Sequence, residues 1–316
     1  MASFNRSSKW FRIVSLAVVA ATFVIIGRLF FQNWKQVPLD RLSFDYRYLA
    51  LALLLQVPAS AYAAWLWVQI LRLLGERPPF IPAWRINVYS QLVRYLPGRV
   101  WNFMGKMHWC AKIGIPERKS LFSSLLEMVF LTMGGVIIAL YSLKLVVFNT
   151  YILVSLPLLA AALVALHPRV LERIINTFGR RWTKGPVVLS FGYGSVLLLC
   201  LQFCALWLLN GLQLFLFVRS FYRLEAGAFW DFSSFNSVSW LIGYFSFITP
   251  SGLGIKEGVF IYVFKHLVPL AVAVMSAVLI RLFSIATDLL TTAAFFAFDR
   301  GSIKAVIRTF KGETTE

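Results

Sequence analysis

The chain alternates long apolar runs with short polar and basic stretches, and the lengths of the runs predict helices that cross a bilayer. Apolar runs cover about residues 11–31, 48–74, 120–142, 149–166, 187–218 and 270–298. A transmembrane helix needs about 20 mainly apolar residues, each rising 1.5 Å, to cross a hydrocarbon core of about 30 Å. Each run therefore predicts a span. The first follows Arg6, Lys9 and Arg12 but is too long for a signal peptide and lacks a small-residue cleavage site. The run at 187–218 is longer than the core is thick and must tilt, bend or project. Arg169 to Lys184 reads as a basic linker. In the tail 300–316, Ile303, Val306, Ile307 and Phe310 fall at i, i+3, i+4, i+7, the pattern of a short helix lying on the membrane surface. The expected fold class is an all-α polytopic integral membrane protein: one membrane-embedded domain over 1–316 with about six full transmembrane helices.

Two stretches fail to be simple spans. In 75–118 the segment RYLPGRVW contains Pro97, which removes a backbone donor, and Gly98, which permits helix-ending angles. Asn87, Gln91 and Arg94 line one face before the break; Arg99, Asn102 and Lys106 line one face after it, with Val100, Phe103, Met107 and Ala111 turned away. This predicts helix, break, helix with a polar stripe on both arms, either dipping into the membrane or lying on its surface. In 234–268 the segment TPSGLGIKEG carries Pro250, Gly252, Gly254 and Gly258 between apolar arms too short to span alone. Irregular backbone at membrane depth survives only against protein or a water-filled cavity. A re-entrant hairpin or two kinked crossings fit this pattern. Both broken segments precede a span that carries an ion, so 48–142 and 187–298 read as halves of an inverted repeat, the arrangement in which many transporters build a midplane site.

Composition agrees with the bilayer. Apolar residues make up 59% of the chain and charged ones 14%, against roughly 25% in soluble domains. The net charge of +18 excludes little by itself, but the basic residues are distributed between apolar runs, which points to topology and anionic headgroups rather than nucleic acid. With the broken segments returning to the side they left, 21 Lys and Arg fall on one side and 6 on the other. The positive-inside rule then places both termini in the cytoplasm of a cell with the protein in its plasma or inner membrane. Cys110, Cys200 and Cys204 read as small hydrophobes, and His108, His167 and His266 show no metal-ligand spacing. No metal site, cofactor or catalytic constellation is expected.

The candidate chemistry lies in the ions inside apolar runs. Glu127 and Arg281 sit within spans, Asp288 lies two turns beyond Arg281, and Lys256 and Glu257 occupy the second break. An intramembrane ion is costly unless it is paired or faces a cavity. One reading makes Glu127–Arg281 or Arg281–Asp288 buried pairs that fix helix register. The other makes a polar cavity in which Arg94, Arg99, Lys256 or Arg281 meets phosphate and Glu127 or Glu257 meets an amine. Helix N-termini after Gly98 and Gly254 would add positive potential for an anion.

RYLPGRVW with its following Gly-Ile-Pro step, and Pro250, Gly252, Leu253, Gly254, Glu257 and Gly258 in P-x-G-L-G-x-x-E-G spacing, resemble motifs of the lysylphosphatidylglycerol synthase transmembrane region. These flippase-like domain proteins include the membrane part of multiple peptide resistance factor. Ser251 stands where many relatives have Gly. The resemblance covers about 85–300 and implies movement between leaflets of a lipid with a modified headgroup. Its implied partners are an anionic or aminoacylated phospholipid or a lipid-linked glycan, and a separate transferase, since the sequence stops at Glu316 without a transferase domain. The alternatives are an enzyme, with Arg94, Arg99, Lys106 and Lys112 holding phosphate and Glu127 as base, or an anchor subunit of a lipid-modifying pathway.

Overall fold

The computed structural model describes residues 44–93, 100–145, 151–165, 167–179, 192–246 and 254–298, together with Val24 and Arg28. The described residues are helical, without a strand. From residue 44 on, the described residues form α1 Tyr46–Leu73, α2 Phe80–Val93, α3 Val100–Lys112, α4 Glu117–Ala139, α5 Tyr151–Ala165, α6 Pro168–Gly179, α7 Tyr193–Arg219, α8 Ala228–Phe245, α9 Ile255–Phe264 and α10 Leu270–Phe298. Four are long and apolar enough to cross a membrane: α1, α4 with its 3₁₀ extension to Ser142, α7 and α10. They make this an all-α, membrane-embedded protein.

Six spans were expected and four are present among the described residues. Apart from Val24 and Arg28, the run at 11–31 lies outside them, as does the tail 300–316. Within the run at 149–166 the described residues include the 15-residue helix α5, Tyr151–Ala165. The stretch read as a linker is instead helical over Pro168–Gly179. Its apolar positions carry the helical period: Val170, Ile174 and Phe178 recur every fourth residue, with Arg169, Glu172 and Arg173 between them.

The order long helix, two short helices, long helix occurs twice, as α1–α4 and as α7–α10. The short helices pack on each other in both sets, α2 on α3 and α8 on α9. In the second pair the chain doubles back, because Phe232 meets Phe264 with ring centroids 4.6 Å apart while Gly243 lies against Lys256. Contacts between the sets are reciprocal: α4 packs on α7 and α8, and α10 on their counterparts α1 and α2. The leading helices α1 and α7 run antiparallel. The Gln213 amide donates to the Ala52 carbonyl (3.1 Å), Tyr62 OH to the Gln202 carbonyl (3.2 Å) and Asp45 N–H to the Ser220 carbonyl (2.8 Å).

Polarity is distributed as a bilayer requires. Leu54 on α1, Leu201 on α7 and Leu290 on α10 are all more than 60% exposed, whereas Ser120, Ser123, Ser233, Ser234, Ser237 and Ser239 are buried between helices. Several of these serines return their hydroxyls to their own helix, as Ser233 to the Phe229 carbonyl (2.9 Å) and Ser237 to the Ser233 carbonyl (2.9 Å). Small side chains whose polar atoms are satisfied locally let backbones approach where lipid supplies no hydrophobic drive to association. The closest approach is Gly211 on α7 against Ser233 on α8, where an added Cβ would fall 2.7 Å from the Ser233 Cα.

Gly211→Ala must therefore push α8 away, an overpacking cost of about 1–3 kcal/mol. Gly194→Ala on the same helix meets nothing within 4 Å. Thermal unfolding in detergent micelles should show a lowered midpoint for the first variant and none for the second.

Candidate polar cavity

The two four-helix sets meet around a cavity of about 460 Å³, within the range of small-ligand sites. Each wall follows from the polar positions of an otherwise apolar helix. Gln56 and Ser60 come from α1, Asn87 and Gln91 from α2, Asn210 and Gln213 from α7, and Asn236 and Trp240 from α8. The Asn87 and Gln91 stripe expected from sequence does face this space. Phe103, expected on the opposite side from Lys106, shares the cavity wall with it, because three residues of helix separate them by less than a full turn.

Five expected site residues, Glu127, Lys256, Glu257, Arg281 and Asp288, come together on this cavity. Arg94 and Arg99 lie outside the described residues, as do Pro97, Gly98, Pro250 and Gly252. Gly254 adopts φ +82° at the head of α9, a left-handed angle that glycine alone takes without strain. Gly258, expected in the break, is inside α9, its N–H donating to the Gly254 carbonyl at 2.8 Å. One glycine thus suffices to start the helix, and by residue 258 its first turn is closed.

Two of the ions in spans have partners on the short arms. Glu127 on α4 pairs with Lys106 on α3 at 2.5 Å, and Arg281 on α10 pairs with Glu257 on α9 at 3.3 Å. The sequence marks Glu127 and Arg281 as ions in spans but carries no sign of which short arm lies beside which span. Lys106 was assigned only to an alternative phosphate site, since a lysine in a basic stretch is explained by topology before pairing is considered. Its real setting is enclosed. The ammonium lies over the Trp67 ring, 4.5 Å from the centroid, and the Trp67 indole N–H donates to Ser123 Oγ at 3.0 Å. A cation–π contact adds most where the cation is desolvated.

Glu257 has two tasks. One oxygen accepts from Arg281, and the other accepts the Gly254 N–H at 2.7 Å, satisfying a donor at the start of α9. The positive N-terminus expected to greet an anion after Gly254 is thus already met by a carboxylate. Across the cavity, Trp240 and Tyr244 stack with centroids 4.6 Å apart, and Trp207 meets Trp240 edge-on at 5.4 Å. The space therefore presents opposite charges, carboxamides with donors and acceptors, and aromatic faces. No protein-family model and no curated protein matches the sequence.

Breaking a buried pair from one side strands the other charge, which costs roughly 3 kcal/mol here, the lower end for buried pairs because Glu127 keeps a fifth of its side chain exposed. Lys106→Met should lower the unfolding midpoint in micelles, and adding Glu127→Gln should recover most of the loss. A double variant no better than the single would show that the pair is not what Lys106 contributes.

Proposed function

We propose that this protein moves a membrane lipid with a modified headgroup, aminoacylated or glycosylated, between leaflets. The headgroup occupies the cavity while the acyl chains stay in the bilayer. The observation that carries this reading is a charged, amide-rich cavity enclosed by helices whose outer faces are apolar. A site that must pass a polar headgroup through hydrocarbon needs both, because the bilayer offers no other solvation for it.

The two four-helix sets act as an inverted repeat. The antiparallel course of α1 and α7, which hold equivalent places, supports this, and so do the reciprocal packings of α4 and α10. The paired short helices α2–α3 and α8–α9 are re-entrant hairpins entering from opposite sides. Six spans, with 11–31 and 149–166 completing the four, put both termini in the cytoplasm of a plasma or inner membrane, as the 21-to-6 basic bias requires. Membership in the flippase-like domain family fits the same arrangement and rests on the two motifs around Pro97 and Pro250.

The test is leaflet transfer in vesicles reconstituted with purified protein and a fluorescent lipid bearing an aminoacylated headgroup. Arg281→Ala and Glu257→Ala should each slow transfer by about tenfold or more, the effect of removing one charge-assisted contact. Wild-type rates in both variants, with protein still monodisperse, would remove the site from the transport path.

A further inference from the structure

Helix α6, Pro168–Gly179, follows a different rule from the long helices, and none of its described residues lines the cavity. At 3.6 residues per turn, Val170, Leu171, Ile174, Ile175 and Phe178 fall on one arc of about 140°. Arg169, Glu172, Arg173, Asn176 and Thr177 fall on the opposite arc. Such a helix suits neither hydrocarbon nor water: the first would strand the charges and the second the apolar arc. Exposure follows the register, with Arg169, Arg173 and Thr177 exposed at i, i+4, i+8 and Val170 half-buried.

The position of α6 is set by the joint before it. Proline disfavours helical angles in the residue that precedes it, so Pro168 separates α6 from α5. His167 occupies the joint. Its Nδ1 accepts the Arg169 N–H at 3.3 Å, and its carbonyl accepts the Val170 N–H at 2.8 Å. Its ring centroid lies 5.3 Å from that of Tyr193, the first residue of α7. Helix α6 therefore begins level with the end of a span, which is where a bilayer has its boundary. Among the described residues its main helix packing is with α5.

The charge of this stretch complements an anionic surface. From residue 169 to 184 the sequence holds Arg169, Arg173, Arg180, Arg181 and Lys184 against Glu172 alone. Arg169 and Arg173 stand at i, i+4, where like charges repel and weaken a helix. An anion held between them removes that repulsion. A helix with one apolar arc and a basic polar arc lies in the interface, and each Lys or Arg near an anionic surface adds to the attraction.

We propose that α6 lies along the bilayer surface, its apolar arc among the upper acyl chains and Arg169 and Arg173 on the headgroups of anionic phospholipid. This lipid belongs to the surrounding bilayer and is not the occupant of the cavity. The inference needs the protein to be embedded in a membrane, not to transport anything. A solvated linker has no use for the apolar arc, and a helix packed inside the protein has none for two exposed arginines one turn apart.

The test places the full chain, its three cysteines replaced by serine, in phosphatidylcholine nanodiscs. Val170→Cys, Ile174→Cys or Thr177→Cys then carries a fluorophore. Phosphatidylcholine or phosphatidylglycerol with a nitroxide high on one acyl chain quenches from the lipid side, and acrylamide quenches from water. Lipid nitroxide should quench the labels at 170 and 174, and acrylamide the label at 177. The phosphatidylglycerol quencher should act at about one-fifth of the concentration that phosphatidylcholine needs, the worth of one basic residue at an anionic surface. Arg169→Gln with Arg173→Gln should bring the two lipids together while quenching by phosphatidylcholine persists. Stronger quenching by acrylamide than by lipid at 170 and 174 would leave the apolar arc to a soluble protein partner. Protection from both quenchers would mean that the rest of the chain covers it. Either result overturns the proposal, as does equal quenching by the two lipids with both arginines present, or a preference that survives their removal. Leaflet transfer is no part of the readout, so failure of the transport reading leaves this result intact.

Discussion

A charge in hydrocarbon has to find an opposite charge, a polar neighbour or water, and the placement of Lys106, Glu127, Glu257 and Arg281 in apolar surroundings sets the terms for the rest of this structure. Each long helix that carries an ion needs a second element bearing its partner. The short arms α3 and α9 supply it: Lys106 reaches Glu127 from the middle of α3, and Glu257 reaches Arg281 from the first turn of α9. The start of α9 is satisfied by the same carboxylate, Glu257 accepting the Gly254 N–H. In the second set, ion pairing and the start of the short helix therefore share one residue.

Packing makes room for the two pairs. Buried serines that bond to their own helices, and glycines such as Gly211, let α7, α8 and α4 approach closely on their small-residue faces. Large aromatic residues fill the remainder, with Phe130 on Phe203 joining α4 to α7 and Phe232 on Phe264 closing the second hairpin. The carboxamides and charges that would be costly against lipid are left facing one another across about 460 Å³. The outside is apolar for the same reason that the inside is not.

The spans were legible because 18 or more apolar residues in a row have few other uses, and α1, α4, α7 and α10 lie close to where their runs put them. Glu127 and Arg281 were legible as lone ions in such runs. Their partners were not. Lys106 lies among nine basic residues between Arg72 and Lys119, and a one-dimensional reading assigns all of them to one membrane face. Pairing depends on which arm folds beside which helix, information held in contacts far apart in sequence. The serine interfaces were missed for a related reason: a serine in an apolar run reads as neutral until the neighbouring helix is seen against it.

Accessibility of α1 in intact membranes tests most directly whether water fills the middle of this protein and lipid surrounds it. Gln56 lines the cavity, while Leu54, two residues earlier on the opposite face and at nearly the same depth, is 68% exposed on the outside. In a chain whose three cysteines are replaced by serine, a charged, water-soluble thiol reagent should label Gln56→Cys and leave Leu54→Cys unmodified. Labelling of Leu54→Cys with protection of Gln56→Cys would mean a dry interior and a wet exterior, and would contradict the account.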